Sequence, residues 1–513
     1  MKISRVAIVG GGTAGWLAAN HLGKALFANK TVSVDVIESP NIAPIGVGEG
    51  TVPEIRRTLK HFGISEADLI RECDVTFKQS IKFVNWLNKG KHGDNNFYHH
   101  LFEKPYKFSE LQTNDWLNHH ANDSNTPFAQ HASFQHDLCE AGKAPKLITT
   151  PEYESAAGYA YHFDASKFAK LLAKNAIQRF GIDHLQATVE QVHLTQSGGI
   201  KSLKTTELGE IKYDFYIDCS GFHGLLLDKA LKVPFVDKGD SLFVDKALAV
   251  QVPTDGKSAI PPYTLATAHQ AGWIWDITLP NRRGVGLVYS SKHLSGDMAH
   301  QKLRHYVGAQ IDNLTVREIP MRIGYREKFW HQNCVALGLA QGFVEPLEAT
   351  SILLTDFAAS FLAKRFPFDS QEFDFLETRY NETVGYAWQR TIDFIKLHYY
   401  LSDRDDSEFW RDNREESLLS ETLKERLSLW KCQAPISEDF FSKFEVFDLD
   451  NYLYVLYGMR FKSTSGALNV NNDRDDAKRA ARYLEQAKQQ LLTQLPEHRA
   501  LIEKIIQHGL QKI

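Results

Sequence analysis

The chain contains no apolar run near the ~18 residues a membrane-spanning helix needs. Its 513 residues enter a candidate strand almost at once, with no charged-then-apolar leader ahead of it. Five cysteines, at 73, 139, 219, 334 and 432, include no C-x-x-C pair. That scatter argues against a zinc site and a disulfide frame, and predicts reduced thiols in a cytoplasmic protein. Charge of one sign is missing too: 59 Lys and Arg against 63 Asp and Glu leave a net charge of −4. The charges are mixed along the chain, so no basic stripe offers itself to nucleic acid. Repeats and low-complexity tracts are absent. What the chain does have is apolar content, 43% of its residues, ample for a large core in one large domain or several.

The stretch around which the rest is organised is 5–16, RVAIVGGGTAGW. Val6 to Val9 suit a buried strand, and Gly10, Gly12 and Gly15 follow as G-x-G-x-x-G. From Trp16 to Leu26 apolar residues recur at helical spacing. Strand, glycine turn and helix form the context a dinucleotide fingerprint requires. Gly10 permits the tight turn, Gly12 lets backbone approach a pyrophosphate, and Gly15 lets helix pack on strand. The phosphates belong at the helix N-terminus, where N–H groups and the dipole favour anions. A second strand, Val32 to Ile37, ends in Glu38, a carboxylate suited to ribose hydroxyls. Ser39 to Pro53 is a loop by its prolines and glycines, apolar enough to cover a ligand. Glu54 to Phe62 reads as helix, and Ser65 with Asp68 opens another as a capping-box variant.

Thr76 to Trp86, TFKQSIKFVNW, alternates as one strand would, with Lys78 on the face of Val84 and Trp86. A lysine on an apolar face is partly desolvated, which bears on its reactivity. Residues 88–150 read as an irregular insertion. Its pairs His99-His100 and His119-His120 lack metal spacing, since adjacent strand residues face opposite ways. Tyr161 to Ala176 reads as an amphipathic helix capped near Asp164 or Ser166. Ala187 to Leu194 and Tyr213 to Gly221 return to α/β pattern, and residues 232–330 read as an antiparallel, substrate-side sheet. Asn333 to Leu354 repeats strand, glycine turn, helix, with Glu345 and Glu348 beside the turn. A carboxylate there suits a flavin or substrate, or simply caps the helix N-terminus. Beyond it, Ser417 to Cys432 and Asp475 to Leu495 read as helices of a subdomain.

Taken in order, GGGTAGW (10–16), GVGEGTVP (46–53), TFKQSIKFVNW (76–86), YHFDASKF (161–168), DCSGFHGLL (218–226), GWIWDITLP (272–280), FVEPLEATSI (343–352) and DFIKLHYYLSDRDDSEFW (393–410) resemble the flavin-dependent halogenases of the tryptophan halogenase type. In the family's W-x-W-x-I-P signature Trp273, Trp275 and Ile277 match, and Thr278 stands at the proline. The resemblance implies an α/β fold: an FAD-binding, monooxygenase-like module over 1–392 and a helical substrate-pocket subdomain over 393–513. It implies FAD delivered reduced by a separate NAD(P)H flavin reductase. Dioxygen then makes a flavin hydroperoxide, halide attacks it, and hypohalous acid passes through a tunnel to halogenate an aromatic ring. The family's essential lysine falls on Lys78 and its essential glutamate on Glu348, which would orient the halogen donor and accept the ring proton. Halide falls to the backbone of Thr350 and Ser351, with Ser where the family has Gly. FAD contacts fall on Gly10, Gly12, Thr13, Ala14, Gly15, Glu38, Val47, Val189, Leu339 and Ile352. No metal and no membrane enter this reading, and a homodimer is left open.

The pocket departs from the free-tryptophan enzymes. His99 matches a pocket histidine and Leu101 stands where the family has Phe. Counting back from NYLYVLYGM at 451–459, Val446 and Phe447 take the Phe-Trp positions, and Ser442 takes that of the glutamate anchoring the amino-acid backbone. Glu445 is out of register. An aromatic, indole-type substrate without a free amino-acid group is therefore expected over free tryptophan. The competing readings are a flavin monooxygenase that hydroxylates its substrate, and a non-catalytic flavin-binding relative.

Overall fold

The computed structural model describes residues 1–29, 31–42, 48–106, 113, 116–117, 126–464 and 470–512. Its contacts group the chain into two interleaved units: Met1–Asp74, Phe163–Lys238 and Arg322–Gln389 form one, and Val75–His162, Gly239–Met321 and Arg390–Ile513 the other. The fold is mixed α/β, with a largely parallel sheet in the first unit and a largely antiparallel one in the second.

The first unit is built on Arg5–Val9, whose last four residues are buried. It pairs in parallel with Ser33–Glu38 on one side and Phe215–Asp218 on the other. A strand flanked on both sides and covered on both faces must be apolar throughout, which is how this run reads. Asp183–Gln186, Cys334–Ala336 and Trp330–His331 extend the sheet to six strands. Ala7, Val9, Tyr216, Leu226, Leu227 and Ala336 belong to one buried cluster on it. The helices Thr13–Leu26 and Glu54–Phe62 form where the sequence predicts them, and Ser65 caps Glu66–Glu72 by accepting from the Asp68 N–H. The strand expected from Ala187 to Leu194 forms as Val189–Leu194, paired antiparallel with Ile200–Thr205; Asp183–Gln186 before it is a separate strand of the parallel sheet.

The second unit carries a seven-stranded sheet. Its order is Arg317–Pro320, Lys246–Pro253, Arg282–Tyr289, Gly272–Thr278, Tyr263–His269, Ser80–Val84 and Phe97–Leu101. All pairs are antiparallel except Ser80–Val84 beside Tyr263–His269. The edge strand Phe97–Leu101 corrects the reading of 88–150 as irregular; the same stretch also holds the helices Phe128–Ala132 and Gln135–Glu140.

Two further boundaries move. TFKQSIKFVNW is not one strand. Thr76–Lys78 pairs antiparallel with Ala160–Asp164, while Ser80–Val84 joins the large sheet. Between them Gln79 donates its N–H to the Pro262 carbonyl and accepts from the Phe102 N–H. The alternation therefore does not carry across residue 79, and Lys78 shares no strand face with Val84 and Trp86. Likewise Ala160–Asp164 is strand, and the helix starts at Ala165 and runs to Phe180. Asp164 caps it, accepting from the N–H groups of Ser166 and Lys167, as an aspartate with extended backbone does. In the C-terminal region the helices run Glu421–Cys432, capped by Ser420, and Val470–Gln494.

Candidate active site

In the first unit the glycine turn is shaped for a ligand in a way its three glycines reveal separately. Gly10 has φ +120°, and a Cβ there would lie 2.2 Å from the Cys219 carbonyl oxygen. At Gly15 a Cβ would lie 1.9 Å from the Gly10 oxygen. Both are forced by the protein's own backbone. Gly12 is different: nothing lies within 4 Å of where its Cβ would be. It is the N-cap of Thr13–Leu26, makes no side-chain cap, and the first turn holds no acidic residue. The space beside Gly12 thus lies at the positive end of an uncapped helix, a place that suits an anion. Ala14 packs under Gly338, whose added Cβ would approach the Ala14 Cβ to 2.5 Å. Glu38 ends the second parallel strand, its Oε2 2.8 Å from His184 Nε2. These features fit an FAD pyrophosphate and ribose. Of the other expected contacts, Val189 begins its strand, Leu339 lies in the short turn Gly338–Ala340, and Ile352 is buried. Val47 lies outside the described residues.

The same unit holds the second glycine turn. Ala349 adopts φ +55°, ψ +39°, left-handed backbone that costs a non-glycine residue of order 1–3 kcal/mol. It is the N-cap of the helix Thr350–Lys364, again without a side-chain cap and without an acidic residue in the first turn. Thr350 is fully buried and its Oγ1 has no hydrogen-bond partner among the described residues. Ser351 lines a small pocket with Gly338, Gln341, Phe343, Thr355 and Trp388. Glu348, one residue before the strained alanine, is fully buried, as is Glu345. A buried carboxylate is costly unless bonded, so neither reads as a simple surface cap.

In the second unit Lys78 ends its short strand at 1% exposure. Its Nζ lies 5.1 Å from the centroid of the Phe102 ring, close enough for a cation–π attraction of about 2 kcal/mol in a desolvated place. The lysine's charge reaches its neighbours. His162, on the paired strand, is pushed well below its ordinary pKa, first by burial and then by Lys78. Phe102 follows the strand Phe97–Leu101, and alternation puts His100 with it and His99 on the other face. His100 lies 6.5 Å from Phe102 and 5.8 Å from Phe394 by ring centroids, and its Nε2 is 3.0 Å from Asn451 Oδ1. Phe394 stacks on Phe447 at 4.2 Å. Such a stack is worth about 0.5–1.5 kcal/mol beyond burial.

His99 and Leu101, the residues expected at the pocket, lie by alternation on the strand face opposite that of His100 and Phe102. His99 is buried between Ser80 Oγ, 3.0 Å from Nδ1, and Glu140 Oε1, 2.9 Å from Nε2. Burial pushes its pKa down to about 4 despite that carboxylate. Burial opposes ionisation of Glu140, yet His99 and Lys82 hold it at about 2. Leu101 pairs with Ser80 on the same side. Val446 is half-buried and Phe447 buried. Ser442 accepts from the Phe444 N–H. Glu445 is held by Arg426 through two bonds of 2.5 and 2.9 Å and is almost wholly buried. Trp273 and Trp275 lie two apart on one strand, both buried, with ring centroids 6.2 Å apart. Sequence reasoning passed over Phe102 and Phe394 and weighed His100 only as a metal candidate; counting the alternation forward from residue 97 would have paired His100 with Phe102.

A family model for tryptophan halogenase matches residues 5–470. The chain belongs to the tryptophan halogenase family. It is 36% identical over 476 residues to tryptophan 6-halogenase SttH of Streptomyces toxytricini, across 88% of this chain and 89% of that protein. The crystal structure of a tryptophan halogenase from Shewanella frigidimarina superposes with TM-score 0.95 at 39% identity, covering 100% of this chain and 99% of that one. Tar14, a tryptophan C-6 flavin-dependent halogenase (chlorinase) from taromycin biosynthesis, superposes at 0.90 with 34% identity, over 98% and 100%. Among the described residues of this family member no helix is long and apolar enough to cross a membrane.

Proposed function

We propose that this chain is a two-component halogenase that receives reduced FAD from a separate NAD(P)H flavin reductase and uses dioxygen with chloride or bromide to halogenate an indole-type ring. The observation that carries the reading is Lys78: a cation at 1% exposure against an aromatic ring, at the position of the family's lysine. A buried ammonium is costly to keep, and an ammonium that can hydrogen-bond a halogen donor gives that cost a use. Bound reduced FAD supplies, with dioxygen, the oxidising equivalent that turns halide into hypohalous acid. The open side of Gly12 and the N-terminus of Thr13–Leu26 hold the pyrophosphate, and Glu38 takes the ribose hydroxyls. The uncapped N–H groups at Thr350 and Ser351 hold the halide. Lys78 Nζ orients the halogen electrophile, and the Glu348 carboxylate accepts the proton that leaves the ring.

The substrate assignment rests on charge. Ser442 carries none, and Glu445 is neutralised by Arg426, so the anchor for a free ammonium group is absent from both positions. Indole is preferred to free tryptophan. The test is a competition: the enzyme with FAD, a generic flavin reductase, NADH and bromide or chloride, given both compounds and read by mass spectrometry. Halogenated indole should dominate. Dominant halotryptophan would refute the substrate reading, and hydroxylated product in the presence of halide would refute the halogenase reading.

A further inference from the structure

The strand that carries Lys78 is only three residues long, and Ala160–Asp164 pairs with it. The Phe77 N–H meets a side chain: His498 Nε2 accepts it at 2.9 Å. The same imidazole lies with Nδ1 3.0 Å from the Ile260 carbonyl oxygen. A carbonyl can only accept, so Nδ1 carries the proton and Nε2 is left as the acceptor that Phe77 requires. The ring is 1% exposed and its centroid lies 5.9 Å from that of Phe77. Burial lowers its pKa to about 4, so the acceptor lone pair is present at neutral pH.

His498 is itself held. It begins the helix His498–His508, and its N–H donates to the Gly142 carbonyl at 3.0 Å. Arg499 beside it donates to the carbonyls of Ser258 and Pro280. Leu501, Ile502 and Ile505 bury the inner face of the helix. A residue 421 positions away in sequence thus does for Phe77 what a neighbouring strand would do. It also lies beyond the span 5–470 that the family model matches.

We propose that His498 is a positioning residue for Lys78: by accepting the Phe77 N–H it fixes the backbone from which the lysine projects toward Phe102. The inference rests on the reading of Lys78 as the halogen-orienting residue. A lysine displaced by an ångström still leaves halide oxidation intact, because that step belongs to the cofactor-binding unit. It loses the handover to the ring, and hypohalous acid escapes.

The test uses the full chain with FAD, reductase, NADH, bromide and indole. Two quantities are read: hypohalous acid trapped by an added halogen acceptor, and bromoindole formed per halide oxidised. His498→Leu keeps volume without an acceptor, and His498→Gln offers its amide oxygen to Phe77. The expected result is halide oxidation unchanged in both. Ring product per halide oxidised falls roughly 10- to 100-fold in His498→Leu and recovers most of that loss in His498→Gln, with KM for indole little changed. Equal coupling in His498→Leu and the parent overturns the inference, and so does equal loss in the two variants. Hydrogen exchange of the unaltered protein gives a test that no folding defect can blur: the Phe77 amide should exchange as slowly as its paired-strand neighbours, and fast exchange overturns the proposal. Lys78→Met is the control. If it halogenates normally, the reading of the lysine has failed, whatever His498 does.

Discussion

The two units solve their binding problems with different parts of the chain. The first unit, the cofactor-binding unit of the proposed function, works with backbone: two glycine turns, two helix N-termini without side-chain caps, and one left-handed alanine. The second unit, the ring-holding unit of the proposed function, works with side chains: a buried lysine, stacked phenylalanines, and histidines forced neutral by burial. Backbone amides are the same whatever the residue, so anion sites made from them are fixed by where glycine must stand. A pocket of rings is fixed by register and packing, which many sequences satisfy. The cofactor end therefore carries a short, dense motif, and the substrate end is spread from Lys78 to Phe447.

That contrast is open to attack, and the largest expected effect is at Glu348. Replacing it by Gln keeps shape and removes the base, and halogenation of indole should slow by roughly 10²- to 10⁴-fold. A rate within twofold of the parent would take the proton-accepting role away from it. Next is Gly12→Val, which fills the one position among Gly10, Gly12 and Gly15 with nothing within 4 Å of its Cβ. FAD affinity, followed by flavin fluorescence, should fall by roughly 10²-fold while the fold survives, since the side chain meets ligand and not protein. Unchanged affinity would remove the pyrophosphate from that turn.

The smallest effect is on stability, and it divides the units. In the ring-holding unit His99 and His498 are held near pKa 4 and His269 near 3, all first by burial, and His162 shifts the same way. An unfolded histidine binds its proton near 6.5. Between pH 6.5 and 4 the unfolded state therefore holds more protons, and stability falls as pH falls, by at most about 3 kcal/mol per histidine. Glu140, held at about 2, adds to the loss only below its ordinary 4.5. In the cofactor-binding unit, His61 is lowered while mostly exposed. Segment-resolved hydrogen exchange at pH 7 and pH 5 should show the second unit loosening first. Uniform loosening would contradict this account of the buried histidines.

The same contrast explains what could be read in advance. The glycine spacing at 10, 12 and 15 and the acid at 38 were legible because backbone geometry demands them. The central strands Arg5–Val9, Ser33–Glu38 and Phe215–Asp218 followed from their apolar runs, whereas Asp183–Gln186, DHLQ, has none. Lys78 was legible through family resemblance; its alternation with Val84 and Trp86 dissolved because Gln79 turns the chain from one sheet to another. His498 left no local signal, since its meaning depends on a backbone group 421 residues earlier.

The central claim is that halide oxidation and halogen transfer to the ring are separable steps, and that Lys78 serves only the second. Lys78→Met keeps most of the stem and removes the charge. With FAD, reductase, NADH and bromide it should yield trapped hypohalous acid at the parental rate, and with indole present it should yield no bromoindole. Bromoindole at the parental rate, or loss of hypohalous acid along with it, would contradict the account.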